Sequence, residues 1–135
     1  MPKVLIADDK EENRFVLSNF FKLFGHDVGI EIIETSSAKE TVSMVMEHKP
    51  SLVLLDIKME TNDAGFLALK EIRDNPLVSK TVIWAITAQN LESETMEGFD
   101  DYIMKPFDLI DLLKKTSSIL KIAIPDKLKL KMGIT

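Results

Sequence analysis

Short runs of nearly uninterrupted apolar residues, each stopped by a polar group, alternate along this chain with segments of helical spacing. No other property limits the fold as much. Strands apolar on both faces must be covered on both, and right-handed crossovers between successive parallel strands place helices above and below the sheet. Lys3 to Ala7 opens the series and ends in two carboxylates. From Glu11 to Phe24 the spacing predicts a helix carrying Phe15, Val16, Asn19, Phe20 and Leu23. Gly25 and Gly29 break it, and Glu31 to Thr35 follows as a second strand. Ser36 or Ser37 can cap a helix from Ala38 to His48, with Glu40 placed for a capping box if Ser37 is the cap, and Pro50 ends it.

Ser51 to Leu55 is a third strand halted at Asp56, and Gly65 to Arg73 a third helix closed by Asn75-Pro76. Thr81 to Ile86 is the fourth strand, stopping at Thr87. A short helix is expected from Leu91 to Glu97 ahead of Gly98, then a fifth strand from Asp101 to Met104. Asp108 caps a last helix with Leu109, Leu112, Leu113 and Leu120. Five repeats of strand then helix make an α/β, three-layer sandwich around a parallel sheet. At 135 residues, 45% hydrophobic and 29% charged, the chain suits one compact domain. We place that domain at 1–122 and read 123–135, which contains Pro125, as a C-terminal tail.

The absence of cysteine removes disulfides, thiolate metal sites and cysteine nucleophiles, and any metal is expected to bind oxygen. No apolar run reaches the length of a signal peptide or membrane span, and a cytoplasmic protein is expected. A net charge of -5, from 22 acidic and 17 basic residues, disfavours direct contact with nucleic acid or anionic lipid. Lys114, Lys115, Lys121, Lys127, Lys129 and Lys131 are read as a solvated helix end and tail.

In an open parallel sheet, ligands bind beyond the carboxyl ends of the strands. Asp8 and Asp9, Asp56, Thr87 and Lys105 occupy those positions. Carboxylates that close repel unless a cation neutralises them or a proton is shared. Magnesium, which takes oxygen ligands and keeps several waters, suits such a crevice. Lys105 can pair with Asp56 when the site is empty and with phosphoryl oxygens when it is filled, while the Thr87 hydroxyl donates to a further oxygen.

The segments Leu5-Ile6-Ala7-Asp8-Asp9, Leu54-Leu55-Asp56-Ile57-Lys58-Met59, Ile86-Thr87-Ala88 and Gly98-Phe99-Asp100-Asp101-Tyr102-Ile103-Met104-Lys105-Pro106-Phe107 resemble, in order, the four signatures of the response-regulator receiver family of two-component phosphorelay systems. The resemblance runs from about Pro2 to about Leu120. It implies a flavodoxin-like, doubly wound sheet of five strands in the order 2-1-3-4-5. It implies Asp56 as phosphoacceptor, with Thr87 and Lys105 reading the phosphate. Asp8 or Asp9, Asp56 and the Lys58 backbone carbonyl are the implied ligands of Mg2+, with Mn2+ as a substitute. Tyr102 corresponds to the switch aromatic, Lys58 and Gln89 to positions that tune phosphoryl lifetime, and the Lys105-Pro106 bond is expected in cis.

The implied activity is a phosphorylation-dependent switch, not an enzyme beyond its own phosphorylation and dephosphorylation. A sensor histidine kinase or histidine phosphotransfer protein is the expected donor, and a downstream protein target, or a second copy in a homodimer, reads the face around Tyr102 and the fourth and fifth helices. With no output domain after residue 120, action through other proteins is expected, as a separate chain or part of a longer one. An interaction module independent of phosphate is the alternative, though the acceptor, hydroxyl and lysine positions are all filled.

Two departures stand out. Thr87 and Lys105 are 18 positions apart, about four fewer than the pattern, which is about one helical turn. Glu60 stands where the pattern often has proline, and Asp63-Ala64-Gly65 holds one residue more than the usual pair.

Overall fold

The computed structural model describes residues 2–25, 29–88, 97–131 and 133. Its elements are β1 (Lys3–Ala7), α1 (Glu11–Phe24), β2 (Glu31–Thr35), α2 (Ala38–His48), β3 (Leu52–Asp56), α3 (Ala64–Asp74), β4 (Ile83–Thr87), β5 (Asp101–Met104), α4 (Leu109–Leu120) and α5 (Asp126–Lys131). The strands form one parallel sheet in the order β2-β1-β3-β4-β5. This is the doubly wound, flavodoxin-like arrangement expected from the alternation and the signatures. Residues 91–96 of the expected helix between β4 and β5 lie outside the described residues.

Side chains alternate across the sheet, so each central strand feeds two cores. Val4 and Ile6 of β1 and Leu52 and Leu54 of β3 join Leu17, Phe20, Phe21 and Phe24 of α1 and Leu112 and Leu113 of α4. Leu5, Ala7, Val53 and Leu55 point the other way, to Val45 of α2 and Ala68, Leu69 and Ile72 of α3. Ile122 and Ile124, beyond α4, pack against the first of these cores.

The helical stripe expected in α1 is not the one that packs. Phe15 is 64% exposed, and Val16 and Leu23 are also exposed, whereas Leu17, Phe20, Phe21 and Phe24 are buried. The segment has more apolar positions than one helix face holds, so periodicity alone leaves its rotation open. Tertiary contacts decide it: Arg14 Nη1 donates to the Asp8 carbonyl at 2.7 Å and Nε to Glu34 at 3.3 Å. With Arg14 turned to the sheet, Leu17 and Phe21, three and seven residues on, face the same way.

Helix ends follow local chemistry. Ser37 is the cap of α2, its hydroxyl accepting from Glu40 N at 3.2 Å, while Glu40 reaches back to Ser36 N at 3.0 Å. Asp108 accepts from Ile110 N and Asp111 N at the start of α4, both at 3.1 Å. Arg73, at the end of α3, donates to the carbonyls of Gly98, Ser79 and Thr81 and to Asp100 Oδ2, which also accepts from Ile83 N. One guanidinium thereby ties α3 to the starts of β4 and β5.

Gly65 allows α3 to start against the end of β3. A Cβ there would lie 2.5 Å from the Asp56 carbonyl oxygen and 2.6 Å from Ile57 Cα, both backbone atoms with little room to yield. Gly65→Ala is expected to cost about 2–3 kcal/mol, in the range of overpacking, read from the urea midpoint. An unchanged midpoint would contradict so close an approach.

Candidate functional site

The carboxyl edge of the sheet gathers the residues that end its strands. Asp8, just past β1, is fully buried: its N–H donates to the Thr35 carbonyl at 3.1 Å and its Oδ1 accepts from Lys10 N at 2.9 Å. Asp56, the last residue of β3, is 4% exposed, and its Oδ1 accepts from Lys58 N at 3.2 Å. The strand continues to be held past it, because Ile57 N donates to the Ile86 carbonyl of β4. Thr87 ends β4, buried, and its carbonyl accepts from Lys105 N at 2.8 Å. The Lys105-Pro106 peptide is cis.

That backbone contact brings the lysine side chain across the strand ends. Lys105 Nζ lies 3.0 Å from Asp56 Oδ2 and 3.2 Å from Asp8 Oδ2. It therefore serves two buried carboxylates, where the sequence suggested only Asp56. Asp9 stands exposed at the rim, and carboxylate oxygens of Asp8, Asp9 and Asp56 come within 4.8 Å of one another. The cleft over them has a volume of about 420 Å³ and is walled by Lys58 and Met59 on one side and Lys10, Glu12 and Asn13 on another.

One ammonium against two buried carboxylates leaves the site net negative. Burial pushes Asp56 up from 3.8 to about 6, its bond to Lys105 opposes this, and the charge of Asp8 adds to it. For Lys105, burial disfavours the ammonium, but the hydrogen bond and charge of Asp56, with Asp8 behind it, outweigh that and raise its pKa. Asp8 Oδ2 is buried and has no hydrogen-bond partner among the described residues, although it lies within ion-pair distance of Lys105. An ion pair tolerates angles that a hydrogen bond does not, so this charge contact leaves a lone pair of Asp8 unfilled. Hard oxygen donors, excess negative charge and an unfilled buried lone pair together fit a divalent cation such as magnesium.

The sequence model of the response regulator receiver domain family matches residues 4–117. This chain belongs to that family. Among relatives of the receiver domain, the transcriptional regulatory protein SrrA of Staphylococcus aureus is 29% identical over 123 residues, covering 88% of this chain and 48% of SrrA. The chain thus spans about half the length of the curated relatives it matches. A two-component response regulator from Clostridium difficile is 28% identical with a TM-score of 0.74, over 90% of this chain and 97% of the other. The receiver domain of the sensor histidine kinase PA1611 from Pseudomonas aeruginosa shares the fold at 21% identity and a TM-score of 0.77, over 89% of this chain and 98% of its own. That domain holds a magnesium ion in its active-site cleft. Receiver domains are signalling domains of two-component systems, and this chain is one of them.

The receiver domain brings Asp8, Asp9, Asp56, Thr87 and Lys105 together, with Lys58 at the cleft wall. Gln89 lies outside the described residues. Tyr102 stands apart, 43% exposed on the edge strand β5, with Lys115 Nζ 5.8 Å above its ring centroid. Lys115 also approaches Asp101 and Asp111 at 3.4 and 3.5 Å. Arg14, which holds the Asp8 carbonyl, is the site-supporting residue that sequence reading missed. Its signal was faint: a cationic position on an apolar helix, six residues after the carboxylate. No described helix is long and apolar enough to cross a membrane.

Proposed function

We propose that this receiver domain accepts a phosphoryl group on Asp56 from a phosphohistidine-bearing protein, and that the resulting acyl phosphate switches its contact with a downstream protein. The observation that carries this is Asp56 itself: a nearly buried carboxylate at a strand end, open to a cleft, sharing one lysine with a second buried carboxylate. The magnesium in the Pseudomonas relative supports the same cation here, with Asp8 or Asp9, Asp56 and the Lys58 carbonyl to hold it, and Mn2+ as a substitute. When bound, such a cation neutralises charge and polarises the phosphoryl oxygens. The chain's residues do the rest.

An Asp56 oxygen attacks phosphorus, the bond from phosphorus to the donor imidazole nitrogen breaks, and the imidazole leaves with that electron pair. Phosphoryl transfer needs little covalent help beyond this alignment. Lys105 exchanges its bond to Asp56 for one to a phosphoryl oxygen, and the Thr87 hydroxyl donates to another. Several such charge-assisted bonds, at about 1.5–3 kcal/mol each, suffice to shift a two-state equilibrium toward an inward Tyr102. Lys58, at the cleft wall, tunes the lifetime of the signal, and the family resemblance gives the same role to position 89. Self-phosphorylation and its reversal are then the only chemistry of the domain.

An exposed apolar stripe of Phe15, Val16 and Leu23 on α1, continuing from the cleft residues Glu12 and Asn13, supports a protein as the donor. Net charge argues against nucleic acid as a direct partner, and short apolar runs support a soluble, cytoplasmic setting. We assign residues 1–122 to the receiver domain and 123–135 to a tail. The test is incubation with acetyl phosphate and Mg2+, with and without chelator, followed by intact mass, reductive trapping and peptide mapping. A metal-dependent, labile phosphoryl increment mapping to residue 56 is expected. No increment, under conditions that label another receiver domain, would leave the phosphate-independent interaction module as the better reading.

A further inference from the structure

The loop from β3 to α3 carries Lys58, whose N–H donates to Asp56 Oδ1 while Met59 N donates to the Thr61 carbonyl within the loop, and it is tied to its surroundings at two further points. At its start, Ile57 N donates to the Ile86 carbonyl and Gly65 N to the Ile57 carbonyl. At the other point Glu60 crosses to the first turn of α2, where both its carboxylate oxygens accept from Ala38 N, at 2.9 and 3.1 Å. That N–H is one of the orphan donors of a helix start, and a carboxylate there also meets the favourable end of the helix dipole. Ser37 satisfies Glu40 N, so each acceptor takes a different one of these donors. Met59, next to Glu60, is buried among the α2 and α3 core residues.

The Lys58 carbonyl is therefore held between two fixed points, one on β4 and one on α2. We infer that Glu60 is a positioning residue for the cation site, tethering the loop to α2 so that the Lys58 carbonyl faces Asp56 without a further ordering cost on binding. The inference deepens the metal reading above and rests on it. It also accounts for the departure at this position. A loop one residue longer than the family pattern, and lacking its proline, has more conformations to lose, and a charged tether across 22 residues of sequence removes them.

The experiment compares the full chain with Glu60→Ala and Glu60→Gln by calorimetric titration of Mg2+ and by amide hydrogen exchange in chelator. Gln keeps an acceptor oxygen for Ala38 N, and Ala does not. Glu60→Ala is expected to weaken Mg2+ binding by about tenfold, the lower end of the scale of one lost charged hydrogen bond, with Glu60→Gln recovering most of it. Exchange in the metal-free Ala variant should accelerate at Ala38 and residues 57–61 while the central strands stay protected. Wild-type affinity in Glu60→Ala, or a Gln variant no better than Ala, would overturn the tether. A wild type that takes up no Mg2+ instead overturns the metal reading, and the exchange data then judge the tether by itself.

Discussion

Asp56→Asn should abolish labelling by acetyl phosphate and, in the same protein, raise stability near neutral pH in the absence of metal. Both results have one cause. On the proposed reading the acceptor is a carboxylate held where burial and Asp8 disfavour its charge, which pushes Asp56 to about 6 from 3.8. Well below pH 3.8 it is protonated in folded and unfolded chains alike and carries no penalty. As pH rises toward 6 the unfolded chain ionises freely while the folded one resists, so this group's contribution is progressively lost. Above the folded pKa the loss levels off at about 3 kcal/mol.

Asparagine removes the charge at nearly constant shape, but its amide cannot accept from both Lys58 N and Lys105 through separate oxygens as the carboxylate does. That loss returns about 1 kcal/mol, leaving a net gain of about 2 kcal/mol near pH 7. The gap between variant and wild type is expected to be small at about pH 4 and to open as pH rises through 6. Urea unfolding across that range, in chelator, measures it. A gap that does not change with pH would mean that the Asp56 carboxylate is not under strain.

What sequence could and could not convey follows the same division between local and distant effects. The five strands were legible because each is a short apolar run with its own stop, and the observed ends differ by only a residue or two. Asp56 and Thr87, read as stops, are each the last paired residue of a strand. The strand-end rule then placed Asp8, Asp9, Asp56, Thr87 and Lys105 in one crevice, since topology alone brings those positions together. The rotation of α1 was not legible, because its surplus of apolar residues supports more than one stripe and Arg14 settles the matter from outside the periodic pattern. The tether from Glu60 to Ala38 and the fan of Arg73 onto Asp100 join residues 22 and 27 apart. Such partners leave no periodic trace. Lys105 was read as the partner of Asp56, yet its reach to Asp8 depends on the depth at which Asp8 is buried.

That second contact makes Lys105 the side chain whose removal should cost most. Lys105→Met keeps the length of the stem and deletes the charge, removing the contacts at 3.0 and 3.2 Å and leaving the buried Asp8 and Asp56 with no other ion pair among the described residues. Breaking a buried pair while its partner charges stay inside typically costs about 3–5 kcal/mol, and the cleft's access to water points to the lower end here. One escape is protonation of a carboxylate, which is easy at about pH 5 and costly at about pH 8, so the destabilisation should grow with pH. The other is a cation. With the ammonium gone, Mg2+ no longer competes with Lys105 for Asp8 and Asp56, so the variant should bind it more tightly than wild type and regain stability steeply as Mg2+ is added. Urea midpoints at both pH values, with chelator and across a Mg2+ series, separate the two escapes. A variant as stable as wild type at about pH 8 in chelator, or one indifferent to Mg2+, would mean that the buried carboxylates do not depend on Lys105 for their charge balance. Tighter Mg2+ binding with impaired partner response would instead divide the lysine's roles: it limits metal affinity in the resting domain and reports phosphate in the loaded one.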